Sequence, residues 1–206
     1  MIKGIARLLV PPSCPGCRSP CEAGRTVCSA CVRELDASGP IHEPDLPDVD
    51  AVVSVTEHSG AGRSILAGYK FGGLFGLGPF IASRMSEIAP ENGQGGSLIP
   101  VPAAGLRRRL RGFDSAEDLA AGLSSWTDWQ MRTGSLVRIG HGRQRGRGRE
   151  TRLGDPPVIE ARTGHCGEVL LVDDVVTTGA TLTACARALR QSGAERVFAV
   201  TFTRRV

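Results

Sequence analysis

Residues 168–182 read EVLLVDDVVTTGATL, and this stretch decides the fold. Val169, Leu170, Leu171 and Val172 form an unbroken apolar run, as in parallel strands buried on both faces. Asp173 and Asp174 follow at the carboxyl end of that strand, and Thr177, Thr178, Gly179, Ala180 and Thr181 then turn the chain into a helix. Small hydroxyl residues around a glycine at a helix start let backbone N–H groups converge on a phosphate, helped by the helix dipole. A phosphate would repel the two carboxylates, so they are expected to face another part of the ligand, either sugar hydroxyls or a magnesium ion. A sugar phosphate with free vicinal hydroxyls meets both demands. A capped helix after a buried strand is the simpler alternative, but a bare N-cap needs neither a second acid nor a run of small hydroxyls.

Outward from this segment the pattern alternates. Residues 51–55 (AVVSV), 97–101 (SLIPV), 136–139 and 197–202 (VFAVTF) read as strands. Residues 65–69, 81–88, 115–123 and 180–191 carry apolar positions at helical spacing, and Gly193 sits where a helix C-cap belongs. Such alternation predicts an α/β fold, a parallel sheet flanked by helices with right-handed crossovers and its ligand site at the carboxyl ends of the strands.

The chain has 206 residues, 41% of them apolar and 22% charged, which suits a globular protein. No stretch approaches the ~20 apolar residues that span a bilayer. Residues 1–10 (MIKGIARLLV) have an apolar run too short for a signal peptide, so cytoplasmic localisation with reduced thiols is expected. Positive charge is concentrated. Residues 138–152 carry a local balance of +5 against +4 for the whole chain, and Arg107, Arg108, Arg109 and Arg111 form a second cluster. Both clusters suit anions, either phosphates of a small ligand or a nucleic-acid backbone.

Cys14, Cys17, Cys28 and Cys31 spell C-x2-C-x10-C-x2-C, the pattern of two thiolate knuckles closing a four-sulfur zinc site. Structural zinc supplies roughly 10 to 16 kcal/mol of folding free energy, which a segment this small needs. A pair of redox or disulfide-forming motifs is the alternative, and Cys21 is a spare thiol or a substitute for Cys17. The proline-rich stretch around Pro40, Pro44 and Pro47 suggests a division into a zinc-ribbon domain at 1–45 and a second domain at 48–206.

The segment 169–181 resembles the signature of type I phosphoribosyltransferases, which bind 5-phosphoribosyl 1-pyrophosphate (PRPP). That resemblance implies that Thr177, Thr178, Gly179, Ala180 and Thr181 take the 5′-phosphate and that Asp173 and Asp174 hold the ribose hydroxyls. Residues 98–120 resemble the strand-to-helix loop that takes pyrophosphate in that family. Arg111 and Gly112 are the candidates there, one for its bidentate fork and the other for close backbone approach. The run 140–154 resembles the family's mobile hood.

The four cysteines, the Tyr69-Lys70-Phe71 segment, Pro100-Val101-Pro102, Arg111-Gly112-Phe113, the hood with Gln144 and Arg152, and VDDVVTTGAT together resemble the ComF family. The resemblance implies a zinc ribbon joined to a phosphoribosyltransferase domain, with PRPP and Mg2+ as ligands and a role in natural competence, the uptake and use of external DNA. Asp114 and Ser115 stand where that family usually has Asn-Gln, and Asp155 stands where its hood motif ends in Asn. A carboxylate beside the pyrophosphate loop is expected to repel the ligand unless magnesium intervenes. Three functions fit: a PRPP-dependent transferase of unspecified acceptor, a non-catalytic PRPP-binding scaffold for DNA-processing proteins, and a zinc protein that grips single-stranded DNA. Few aromatics interleave with the arginines, which counts against the third. The four histidines are expected at the surface, and Trp126 and Trp129 packed on the sheet.

Overall fold

The computed structural model describes residues 13–43, 45–91, 95–103, 113–139 and 157–205. Strands β1 (Ile41–His42), β2 (Ala51–Glu57), β3 (Ser97–Pro100), β4 (Gln130–Met131), β7 (Glu168–Val176) and β8 (Arg196–Arg204) form one sheet in the order β1-β2-β8-β7-β3-β4. All neighbours pair in parallel except β1, which runs antiparallel to β2. The strand read first in the sequence is therefore internal, with β8 on one side and β3 on the other.

Strand alternation explains why that run is apolar throughout. Leu170 and Val172 face a cluster with Phe198, Val200 and Phe202, which packs under helices α2 (Gly60–Phe71), α3 (Gly78–Ser86) and α4 (Ser115–Ser124). Val169 and Leu171 face the opposite cluster with Val197 and Ala199, covered by Leu182, Cys185 and Leu189 of α5 (Ala180–Gln191). A strand buried on both sides has no face left for polar residues until its carboxyl end.

Two positions require glycine. Gly179 caps α5 with φ +73°, and a Cβ there would lie 2.6 Å from Leu46. Gly193 ends the same helix at φ +108°, where a Cβ would meet the His165 carbonyl oxygen at 2.4 Å.

Some expectations shift. Residues 136–139 do form a strand, β5 (Leu136–Ile139), but it pairs antiparallel with β6 (Val158–Ala161) outside the main sheet. This hairpin flanks the arginine-rich run 140–156, which lies outside the described residues. Trp129 is buried, with its indole N–H donating to the Pro90 carbonyl at 2.9 Å and its ring edge-on to Phe198. Trp126 is instead 64% exposed.

At the amino end, helix α1 (Ser29–Ala37) begins directly after Cys28. Cys14, Cys28, Cys31 and Leu35 share one apolar cluster with Ile65, Leu66 and Tyr69 of α2. Among the described residues, no helix is long and apolar enough to cross a membrane.

Candidate functional site

The carboxyl ends of β2, β3, β7 and β8 surround a cavity of about 850 Å3. Asp173, Asp174, Thr177 and Thr181 line it, and α5 starts at its edge. Gly179 and Ala180 form the turn, and the Thr178 hydroxyl accepts from the Ala180 N–H at 3.4 Å. The left-handed Gly179 gives the chain its sharp change from strand to helix, leaving the first N–H groups of α5 without helical partners.

The two acids differ in surroundings. Asp174 is 4% exposed, and Lys70 Nζ lies 2.5 Å from its Oδ1 while the Ser115 hydroxyl donates to its Oδ2. Asp173 is half-buried at the cavity floor and accepts the Asp174 backbone N–H at 2.8 Å. Burial, followed by the charge of Asp174, pushes the Asp173 carboxyl up to about 8. One lysine beside two carboxylates leaves the pair short of positive charge. That oxygen donor set suits hydroxyl donors or a hard divalent cation.

Lys70 reaches Asp174 from the last turn of α2, and the preceding residue fixes the helix. Tyr69 is fully buried and donates from its hydroxyl to Asp118 of α4 at 2.5 Å. Phe113 packs edge-on against both Tyr69 and Phe75, so the approach to α4 is pinned to α2.

Asp114 also lines the cavity, but its carboxylate is engaged by the helix that follows. It is the N-cap of α4, with Oδ1 accepting from the N–H groups of Ala116 at 3.2 Å and Glu117 at 3.4 Å. A helix N-terminus offsets part of a carboxylate's charge. Ser115 serves Asp174 instead of standing free. Arg111, Gly112, Gln144, Arg152 and Asp155 lie outside the described residues.

Sequence reading missed a group that also lines the cavity, made of His58, Arg63 and Arg205. His58 Nδ1 lies 2.9 Å from the Thr203 hydroxyl. Burial, followed by the charges of Lys70, Arg205 and Arg63, lowers the His58 pKa. The available clue was position: His58 and Arg205 directly follow β2 and β8, at the strand ends where such sheets bind ligands.

Away from the cavity, the sulfurs of Cys14, Cys17, Cys28 and Cys31 all lie within 4.8 Å of one another. Four sulfurs at ~2.3 Å from a tetrahedral zinc would stand about 3.8 Å apart, so the cluster suits that ion. Burial raises Cys14, but backbone N–H groups of Cys28, Cys17 and Gly16 outweigh it and bring the thiol down to about 6. Cys31 is pushed up by burial and then by the other three thiols, a crowding that a cation would relieve. Cys21 stands apart from the four, buried and pointing its thiol at the Thr26 carbonyl, with its pKa raised to about 11 chiefly by burial.

Residues 154–205 match the model of the phosphoribosyl transferase domain. Competence protein F of Haemophilus influenzae is 32% identical over 107 residues, covering 49% of this chain and 47% of that protein. The chain thus spans about half the length of the curated relative it matches. A purine phosphoribosyltransferase from Pyrococcus horikoshii aligns with 64% of this chain and 83% of its own, at 19% identity and a TM-score of 0.32. The fold is phosphoribosyltransferase-like, an α/β parallel sheet flanked by helices in which residues 154–205 match that domain's model. With a four-cysteine cluster consistent with structural zinc ahead of that domain, the chain is ComF-like.

Proposed function

We propose that this chain binds PRPP with Mg2+ and transfers its phosphoribosyl group to an acceptor, in a role linked to natural competence and the use of external DNA. The observation that carries this reading is the placement of Asp173 and Asp174 at the end of an internal strand, on the same cavity as Thr177 and Thr181. The turn 177–181 takes the 5′-phosphate, and Asp173 and Asp174 hold the ribose hydroxyls. Arg111 and Gly112 take the pyrophosphate, and Gln144 and Arg152 belong to the hood that excludes water. Asp173 and Asp174 would also help to hold Mg2+, which would supply charge to neutralise the leaving pyrophosphate.

The chain's own contribution is positioning. Lys70 and Ser115 hold Asp174 in one orientation, so its charge is aimed before the ligand arrives. No side chain at the cavity is needed as a nucleophile, because the acceptor attacks C1 as pyrophosphate departs. Zinc on Cys14, Cys17, Cys28 and Cys31 is structural, and the ribbon at 1–45 and the transferase domain at 48–206 are the proposed units. DNA-processing proteins in the cytoplasm are the proposed partners, in keeping with the name of the Haemophilus influenzae relative. Calorimetry with PRPP and Mg2+, followed by a pyrophosphate-release screen over nucleobases and amines, tests this function. Binding without release across the screen would replace transfer with a scaffold role.

A further inference from the structure

Taking PRPP binding at Asp173 and Asp174 as given, we infer that the wall formed by His58, Arg63 and Arg205 receives an oxyanion group of the second substrate, so that the acceptor is a carboxylate- or phosphate-bearing molecule and not a neutral base.

Acidic and basic side chains both line the cavity. Its acids, Asp114, Asp173 and Asp174, come from β7 and the start of α4. Besides Lys70, which pairs with Asp174, and Arg138 of β5, its basic residues come from the ends of β2 and β8 and the first turn of α2. In the sheet order, β8 and β2 lie on one side of β7 and β3 lies on the other. The loop assigned to pyrophosphate follows β3, and the turn assigned to the 5′-phosphate follows β7. The basic residues at the ends of β2 and β8 therefore stand on the other side of β7 from β3.

Its charges are available. Lys70 is taken up by Asp174, whereas Arg63 and Arg205 form no ion pair among the described residues. His58 is tied through Nδ1 to the Thr203 hydroxyl; burial and then the charge of Lys70 lower its pKa, Arg205 and Arg63 add to the same direction, and Asp174 opposes them. Guanidinium groups match the geometry of carboxylate and phosphate oxygens, and a fixed imidazole adds a further polar contact. Leu66 and Phe71 of α2 line the same cavity, so the group carrying the oxyanion meets an apolar surface beside the charges. Both guanidinium groups are exposed to water, and only a ligand oxyanion offers them a charge-assisted hydrogen bond that a neutral base does not.

Calorimetry on the full chain tests this. PRPP with Mg2+ is titrated first. At saturation, ring-matched probes built on benzene, pyridine and pyrimidine follow, each as its carboxylate, its phosphonate and its neutral carboxamide. At least one carboxylate or phosphonate is expected to bind tenfold or more tightly than its amide. Arg63→Gln combined with Arg205→Gln is expected to shrink that preference below twofold while PRPP affinity changes by less than threefold. Equal or undetectable binding of acid and amide in all three series overturns the inference. So does a double variant that weakens PRPP as much as the acid, since the wall would then serve PRPP's own phosphates. If PRPP fails to bind at all, the proposed function falls, and the same probes on the ligand-free chain still read the preference of the wall.

Discussion

Lys70 Nζ lies 2.5 Å from Asp174 Oδ1, joining the last turn of α2 to the carboxyl end of β7 across 104 positions of sequence. Both side chains are largely removed from water, at 10% and 6% exposure. Removing one partner leaves the other charge buried and uncompensated, which typically costs about 3 to 5 kcal/mol. Lys70→Met is accordingly expected to lower stability by about 3 kcal/mol and to weaken PRPP binding, while Lys70→Arg retains most of both. Urea unfolding of the two variants checks the first part, and a Lys70→Met protein as stable as the parent would show that the pair contributes little.

Asp173 gives a pH dependence of opposite sign to that of most carboxylates. In the folded chain it keeps its proton up to about pH 8, against an ordinary value of 3.8. Between those values the folded state binds more protons than the unfolded state, so this group makes stability fall as pH rises through the window. Below the lower value the penalty is absent, and above the upper one it is complete. Asp173→Asn is expected to flatten the decline in urea midpoint between pH 5 and pH 8. An unchanged slope would place the titration elsewhere.

The cysteine cluster is expected to carry close to one zinc per chain in reducing buffer, by metal analysis. Because Cys14, Cys28 and Cys31 share an apolar cluster with Ile65, Leu66 and Tyr69, its loss should be felt beyond the first 45 residues. Cys28→Ser is expected to lower the melting temperature and to loosen α2, and through Lys70 to weaken ligand binding. A variant without zinc but with unchanged melting would contradict this coupling.

Gly179→Ala tests the turn itself. At φ +73° an L-residue costs roughly 1 to 2 kcal/mol, and here its Cβ also meets Leu46 at 2.6 Å. A loss of about 2 kcal/mol in unfolding free energy is expected, together with weaker binding of phosphate-bearing ligands. Full stability in the variant would mean that the turn has another conformation.

Much of this was legible in the sequence, for reasons of chain locality. The β7 to α5 segment carries its strand, acids, small-residue turn and helix within 24 consecutive residues, 168–191, so local pattern was enough. The strand at 136–139 was legible, but short pairings such as β3 with β4 and β5 with β6 were not, because their partners are set by tertiary packing. The wall of His58, Arg63 and Arg205 was also hidden, since Arg205 lies at the far end of the chain and only the parallel pairing of β2 with β8 brings it to the other two. Asp114 shows a subtler limit. Its negative charge was evident, but its engagement by the N–H groups of Ala116 and Glu117 depends on where α4 begins.

The central claim, that Asp173 and Asp174 serve PRPP, is tested most directly by calorimetry with PRPP and Mg2+ on the parent chain and on the Asp173→Asn, Asp174→Asn double variant. The change keeps shape but removes the Asp174 charge and one of the two oxygens that accept from Lys70 and Ser115, and above about pH 8 it removes the Asp173 charge as well. Charge-assisted hydrogen bonds of about 1.5 to 3 kcal/mol become ordinary ones of about 1, so binding should weaken by about 1 to 4 kcal/mol for two such bonds. Nonspecific binding of single-stranded DNA, run in parallel at two salt concentrations, should strengthen slightly as the surface becomes more positive. Weaker PRPP binding with unchanged or stronger DNA binding is the predicted result. Unchanged PRPP affinity in the double variant would contradict the account.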